Sequence, residues 1–152
     1  MVRGLVVEEG LQNELLVPSV PQSARDEIPT FWISKHDIHE AVRSLRLSVP
    51  DPYKLLYDVT ALDERGRTHR DGQLPSDFTA VYHLYSFGRN EYIRLKVALD
   101  ESDLSLPTIT DIFPEQLGEI AQVLVRDPAS VPLNGEHGVD GNSLSVRILR
   151  KF

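Results

Sequence analysis

His36 and His39 stand three residues apart with Glu40 beside them, a spacing that could turn two imidazoles and a carboxylate toward one zinc ion. The same residues equally suit the water-facing side of a helix, and we read them so. Asp58 and Asp63, together with His69 or His83, could form a metal or acid–base site if the fold brings them together. Nothing in their spacing demands it. Asp58 is the unusual member, because it interrupts the apolar run KLLYDVTAL (54–62). A carboxylate there either points outward or is held by hydrogen bonds as a structural anchor, and we take the structural reading.

Two further groups invite a binding role. Tyr82, Tyr85, Phe87 and Tyr92 cluster around one predicted hairpin and could stack bases, although cross-strand packing explains them as well. GEHGVDG (135–141) resembles a ligand-cradling loop but lacks the Lys-Ser/Thr end of a phosphate loop, and turn formation accounts for its glycines. The sequence therefore assigns no catalytic, cofactor-binding or metal residue.

Composition narrows the field. The 152 residues suffice for one domain with a real core. A formal net charge of −7, with the 16 Lys and Arg scattered, argues against nucleic acid as a partner. With no cysteine, the chain can supply no thiolate nucleophile, disulfide or Cys ligand to zinc or an iron–sulfur cluster. No apolar run reaches the roughly 18–20 residues of a membrane span. The start, MVRGLVVEEGLQNELLV, is broken by Glu8 and Glu9 and does not read as a signal peptide, so a cytoplasmic location is expected.

The elements that must position these groups follow from periodicity. Residues 1–17 suit a short helix or a loose arm, and 17–29, with three prolines, reads as a linker. TFWI (30–33) suits a strand. Ser34 is a candidate N-cap, with Asp37 three residues on, for a helix whose apolar stripe is Ile38, Ala41, Val42 and Leu45. The prolines of VPDPY (49–53) close it. KLLYDVTAL suits a strand buried along most of its length, followed by a charged loop (63–77). FTAVYHLYSFGRNEYIRLKVAL (78–99) is a hairpin in which Ile93, Leu95, Val97 and Leu99 face the core and Gly88-Arg89-Asn90 forms the turn. After Pro114, residues Leu117, Ile120, Ala121 and Leu124 mark a helical face, and LSVRILRKF (144–152) a last strand at a sheet edge. The expected fold is α+β: a mainly antiparallel sheet with helices on one face, a two-layer sandwich. An arm (1–29), a core domain (30–114) and a C-terminal helix, loop and strand of the same domain (115–152) divide the chain.

Four runs together carry a resemblance: LLYDVTALDER with RTHR (55–70), F-x-x-x-Y-H-L-x-S (78–86), R-N-x-x-I-x-L-K-V-A-L (89–99) and D-L-x-x-P-T-x-T-x-I-F-P (103–114). With TFWISK and its helix, residues 30–114 resemble the C-type, or 30 kDa-type, subunit of the proton-pumping NADH:quinone oxidoreductase, respiratory complex I. The resemblance implies an α+β domain in the hydrophilic arm, on the cytoplasmic side of the membrane and peripheral to it. It implies no cofactor on this chain. Its partners would be the sister subunits that carry the quinone cavity and the terminal iron–sulfur cluster. After Pro114 the family pattern W-Y-E-R-E-x-W-D-x-F-G is replaced by EQLGEIAQVLVRDPASVPLNG, with Glu119 near the first signature acid, and the later H-P-x-L-R-x-D-Y segment is not found.

The first expectation is a non-catalytic structural subunit of that oxidoreductase. The matching subunit of a membrane-bound hydrogenase complex would read the same way. A freestanding α+β protein-binding module that kept the fold is the second class, and the departure after Pro114 favours it. A small metal-dependent hydrolase using Asp58, Asp63 and a histidine is the third.

Overall fold

A computed structural model describes residues 9–69, 71–114, 122–126 and 145–149. Residues 9–14 are helical and are termed α1. Then come β1 (Ser19–Gln22), β2 (Thr30–Ile33), α2 (Ile38–Leu47), β3 (Leu55–Asp63), β4 (Phe78–Ser86), β5 (Glu91–Leu99), β6 (Gln122–Arg126) and β7 (Ser145–Leu149). The first five strands form one sheet in the order β1-β2-β5-β4-β3. All its pairings are antiparallel except β2 with β5. The expected α+β class with a mainly antiparallel sheet holds.

One face of the sheet builds the core. Ile93, Leu95, Val97 and Leu99 of β5 are buried, as their alternation requires, and meet Phe78, Ala80, Tyr82 and Leu84 of β4. Ile38, Ala41, Val42 and Leu45 pack the stripe of α2 onto the same cluster, joined by Leu11 and Leu15 from α1 and its end. Leu104, Ile109, Ile112 and Phe113 complete it from the segment that follows β5. The helices thus lie on the inner face.

Three local expectations are corrected. The helix begins at Ile38 with Asp37, not Ser34, as N-cap, and no side chain caps it. Residues 34–37 instead form a turn, in which the Asp37 N–H donates to the Ser34 carbonyl at 3.0 Å and the Ser34 hydroxyl to the Asp37 carboxylate at 3.1 Å. Within the expected linker lies β1, paired antiparallel with β2. Its Pro21 is tolerated because an edge strand has one side that needs no ladder bonds. The third correction concerns β3, which is not buried along most of its length. It is the opposite edge strand, and of its nine residues only Leu56 is fully buried.

Past Pro114, Leu124 was expected on a helix and lies in β6, which pairs antiparallel with β7 in a separate two-stranded sheet. Leu117, Ile120, Ala121 and Glu119, the loop 135–141, and Arg150 and Lys151 fall outside the described residues.

The hairpin tip is fastened to the helical layer. Arg89 in the turn donates to the carbonyls of Pro50 (2.5 Å) and Asp51 (3.2 Å) and pairs with Glu14 of α1 at 2.9 Å. Its guanidinium lies 5.2 Å from the Tyr53 ring centre. Asn90 adopts φ 53°, the left-handed conformation that asparagine tolerates in tight turns.

Candidate functional site

Among the described residues no helix packs on the outer face of the sheet, and the candidate site is there. Two residues of the segment before β4 reach part of it: Ser76 and Thr79 share a hydrogen bond at 3.0 Å, and Gly72 lies against Gln22. On this face Trp32, Thr79 and Val81 are buried although they stand outside the core cluster. Trp32 donates its indole N–H to Gln22 at 3.0 Å, and the Lys96 ammonium bonds the same Gln22 oxygen at 3.1 Å while lying 5.3 Å from the Trp32 ring.

Next to this patch runs a polar row across four strands. The pairings Thr30↔Arg94, Arg94↔His83 and His83↔Asp58 put these residues side by side on β2, β5, β4 and β3. Arg94 Nε donates to His83 Nε2 at 2.7 Å, and His83 Nδ1 donates to Asp58 Oδ1 at 2.5 Å. The Arg94 fork also bonds both Asp26 oxygens, at 2.5 and 3.2 Å, and Thr30 Oγ1 at 3.3 Å. The guanidinium beside Asp26 holds that carboxyl below the usual carboxylate range.

A β-bulge places Asp58 in the row. Leu56 pairs with Leu84 and Asp58 with His83, leaving Tyr57 as an extra residue. In a regular strand Leu56 and Asp58 would share a face, and the carboxylate would follow Leu56 into the core. The extra residue sends both Tyr57 and Asp58 outward. The tension noted in the sequence at Asp58 is resolved this way: the side chain points outward and is hydrogen-bonded as well.

Of the residues proposed for an acid–base or metal site, only Asp58 and His83 meet. Asp63 is turned to Arg65, whose side chain donates to it at 2.9 and 3.1 Å and holds its carboxyl low. His69 lines an open pocket with Asp77 and Asp100 near the other end of β5. On α2, His39 donates to Asp111 at 2.9 Å and Glu40 lies 3.8 Å from Arg43, whereas His36 is exposed but sits in the turn before α2 and not on the helix face expected for it. Among the described residues no group of three His, Asp or Glu is placed to hold a metal ion.

The aromatic cluster is regrouped. Tyr82 faces the core and leaves it. Tyr85, Phe87 and Tyr92 remain together on the outer face, and Tyr57 joins them through the bulge: Tyr57–Tyr92, Tyr92–Tyr85 and Tyr85–Phe87 are 5.4, 4.7 and 5.1 Å apart between ring centres. Sequence reasoning missed Tyr57, Arg94 and Asp26. Pairing register would have found Arg94; the bulge leaves no sequence signal.

This arrangement binds its acids and bases to one another and presents rings and carboxylates to solvent. It suits contact with another surface better than chemistry on a small molecule.

Comparison with known proteins gives a consistent answer. Residues 31–117, more than half of the chain, match the family described as "Respiratory-chain NADH dehydrogenase, 30 Kd subunit". Among similar proteins, the C/D subunit of the NADH-quinone oxidoreductase of Nitrosospira multiformis is 52% identical over 95 residues, 62% of this chain and 16% of that one. The proteins of the same name from Acidiphilium cryptum and a Psychrobacter species are 45% identical over 112 residues and 53% over 89. The matches cover 70% and 59% of this chain and 19% and 15% of those proteins. The chain thus spans less than a fifth of the length of these relatives.

Proposed function

We infer the role of this chain from a settled premise: it belongs to the family of 30 kDa subunits of the respiratory-chain NADH dehydrogenase. On that premise we propose that it is a non-catalytic scaffold of an NADH-quinone oxidoreductase, the enzyme its relatives are named for. The assembled enzyme passes electrons from NADH to quinone and couples them to proton translocation; this chain contributes surface. Residues 30–114 form the docking domain, 1–29 its arm and 115–152 a further part of it. The chain binds no cofactor or metal and holds no catalytic residue. It sits in the hydrophilic arm on the cytoplasmic side, against the sister subunits that bear the quinone cavity and the terminal iron–sulfur cluster. Among the described residues no helix is long and apolar enough to cross a membrane.

The observation that carries this reading is the row Asp58–His83–Arg94–Asp26. A general base needs a lone pair aimed at a substrate. His83 has both ring nitrogens engaged, one with Arg94 and one with Asp58. The best acid–base pair in the sequence is therefore spent on tying strands together.

The test is to purify a tagged chain from membranes of its host. Sister subunits of the oxidoreductase should co-elute, and the isolated chain should be colourless and unable to oxidise NADH. A bound flavin or stoichiometric iron in the isolated chain would overturn the scaffold reading, as would a wild-type chain that brings down no sister subunit.

A further inference from the structure

The corner of the outer face around the bulge combines two features. Tyr57, Tyr92, Tyr85 and Phe87 form an unbroken set of rings, with Phe87 68% and Tyr57 61% exposed. Contiguous exposed rings of this kind characterise contact surfaces, where tyrosine is a common anchor. The polar groups beside them are sorted by depth. The side chains of Arg94 and His83 are only 16% and 18% exposed, whereas the carboxylates of Asp26 and Asp58 at the two ends of the row are 48% and 46% exposed. The guanidinium and the imidazole lie underneath and the two carboxylates face out. The face therefore presents negative charge on a chain whose net charge is already −7.

Asp58 and Tyr57 are neighbours on this face because of the bulge. Asp58 Oδ1 takes the His83 proton, and among the described residues Oδ2 has no hydrogen-bond partner. A planar guanidinium fits both groups, stacking on the tyrosine ring while donating to the open carboxylate oxygen. An ammonium could answer the charge but not the flat ring and the carboxylate together.

We propose that this corner, Tyr57 with Tyr92 and Asp58, docks an arginine-bearing basic segment of a sister subunit of the same oxidoreductase. The proposal rests on the scaffold reading and goes beyond it, naming the surface and the chemistry of its partner.

A photo-crosslinking amino acid at position 57 of the tagged full chain, expressed in its host, tests this, with a second at the exposed Arg43 on α2 as control. Light should join position 57, and not position 43, to an arginine-containing peptide of a sister subunit. Asp58→Asn keeps an oxygen for the His83 proton but removes the charge. It should leave the melting curve of the isolated chain unchanged and lower recovery of that subunit by about tenfold, more steeply at low salt than at high salt. Crosslinks from position 57 only to a second copy of this chain, only to lipid, or to nothing would overturn the docking proposal. So would a crosslink confined to position 43, or unchanged recovery with Asp58→Asn. If sister subunits co-elute with the wild type in any of these cases, the scaffold reading survives; if none co-elutes, the scaffold reading itself has failed.

Discussion

Arg94 Nε donates to His83 Nε2 at 2.7 Å, and this one bond fixes the state of the imidazole. A guanidinium has donors only, so Nε2 must be the bare nitrogen and the ring proton must sit on Nδ1, where Asp58 accepts it. Nitrogen-15 spectra of His83 near neutral pH should show a neutral ring protonated at Nδ1. Arg94→Met should release that preference and give a mixture of tautomers. A wild-type ring protonated at Nε2 would contradict the row.

The core face of β5 should dominate stability. Leu95 is fully buried, and Leu95→Ala should cost about 2–5 kcal/mol in a denaturant melt. Lys96 lies one residue on, on the outer face, where it touches Gln22 and the Trp32 ring. Lys96→Ala should cost well under 2 kcal/mol, about the range of a partly exposed contact. The reverse order would put the strand out of phase by one residue.

Gly88 is held close to the loop after α2. A Cβ at this position would lie 2.6 Å from an Asp51 carboxylate oxygen and 3.0 Å from the Asp51 Cβ. Asp51 itself has φ 48°, so its backbone has little freedom to retreat. Gly88→Ala should destabilise by about 1–3 kcal/mol, and adding Asp51→Gly should recover most of the loss. A neutral Gly88→Ala would mean the hairpin tip is not seated against this loop.

Acid should weaken the fold in a defined window. Asp26, Asp63, Asp103 and Asp111 are all held below the ordinary carboxylate value, by hydrogen bonds from Arg94, Arg65, Lys35 and His39 respectively. Their folded pKa values are depressed, so the unfolded chain takes up protons first. Their contribution is present above about pH 4 and drains as pH falls below it. Lys35→Met removes the largest influence on Asp103, and urea midpoints at pH 6 and pH 3 should then differ by less than in the wild type. An equal difference would show that the Lys35–Asp103 pair does not hold in solution.

Alkali should distinguish the tyrosines. Burial pushes the Tyr53 phenol up to about 12 and raises that of Tyr82 further, both above the ordinary value of 10. In an ultraviolet titration of the five tyrosines, two should ionise late and together with unfolding. Because these folded pKa values are raised, stability is intact below pH 10 and falls as pH rises beyond it. Five tyrosines titrating together near 10 would place both rings in water.

Strong periodicity was readable in the sequence. The alternation of Ile93, Leu95, Val97 and Leu99 and the stripe of α2 each state which side faces the core, and both lie as expected. β1 was not readable, because SVPQ has no alternation and sets a single β-branched residue, Val20, beside a proline, so it depends on pairing with β2. The exposure of β3 was not readable either: an apolar run does not say whether its strand has one neighbour or two. Asp58 and His83 were both singled out, but the register that joins them belongs to the pairing of β3 with β4. Asp26 is further removed, since it reaches the row only through the parallel pairing that brings the start of β2 beside Arg94.

That parallel pairing also bears on the order in which the chain can fold. Asp58 and His83 are 25 residues apart and His83 and Arg94 only 11, so β3, β4 and β5 can find one another as a local meander. Thr30 and Arg94, brought together by β2 and β5, are separated by 64 residues. Closing that loop costs more entropy and comes later. As the chain leaves the ribosome, β2 and α2 are made long before the strand they need. Until they dock, the β5 edge stands open, and an open edge invites pairing with another chain. β2 and α2 are made before β5 and seated after it.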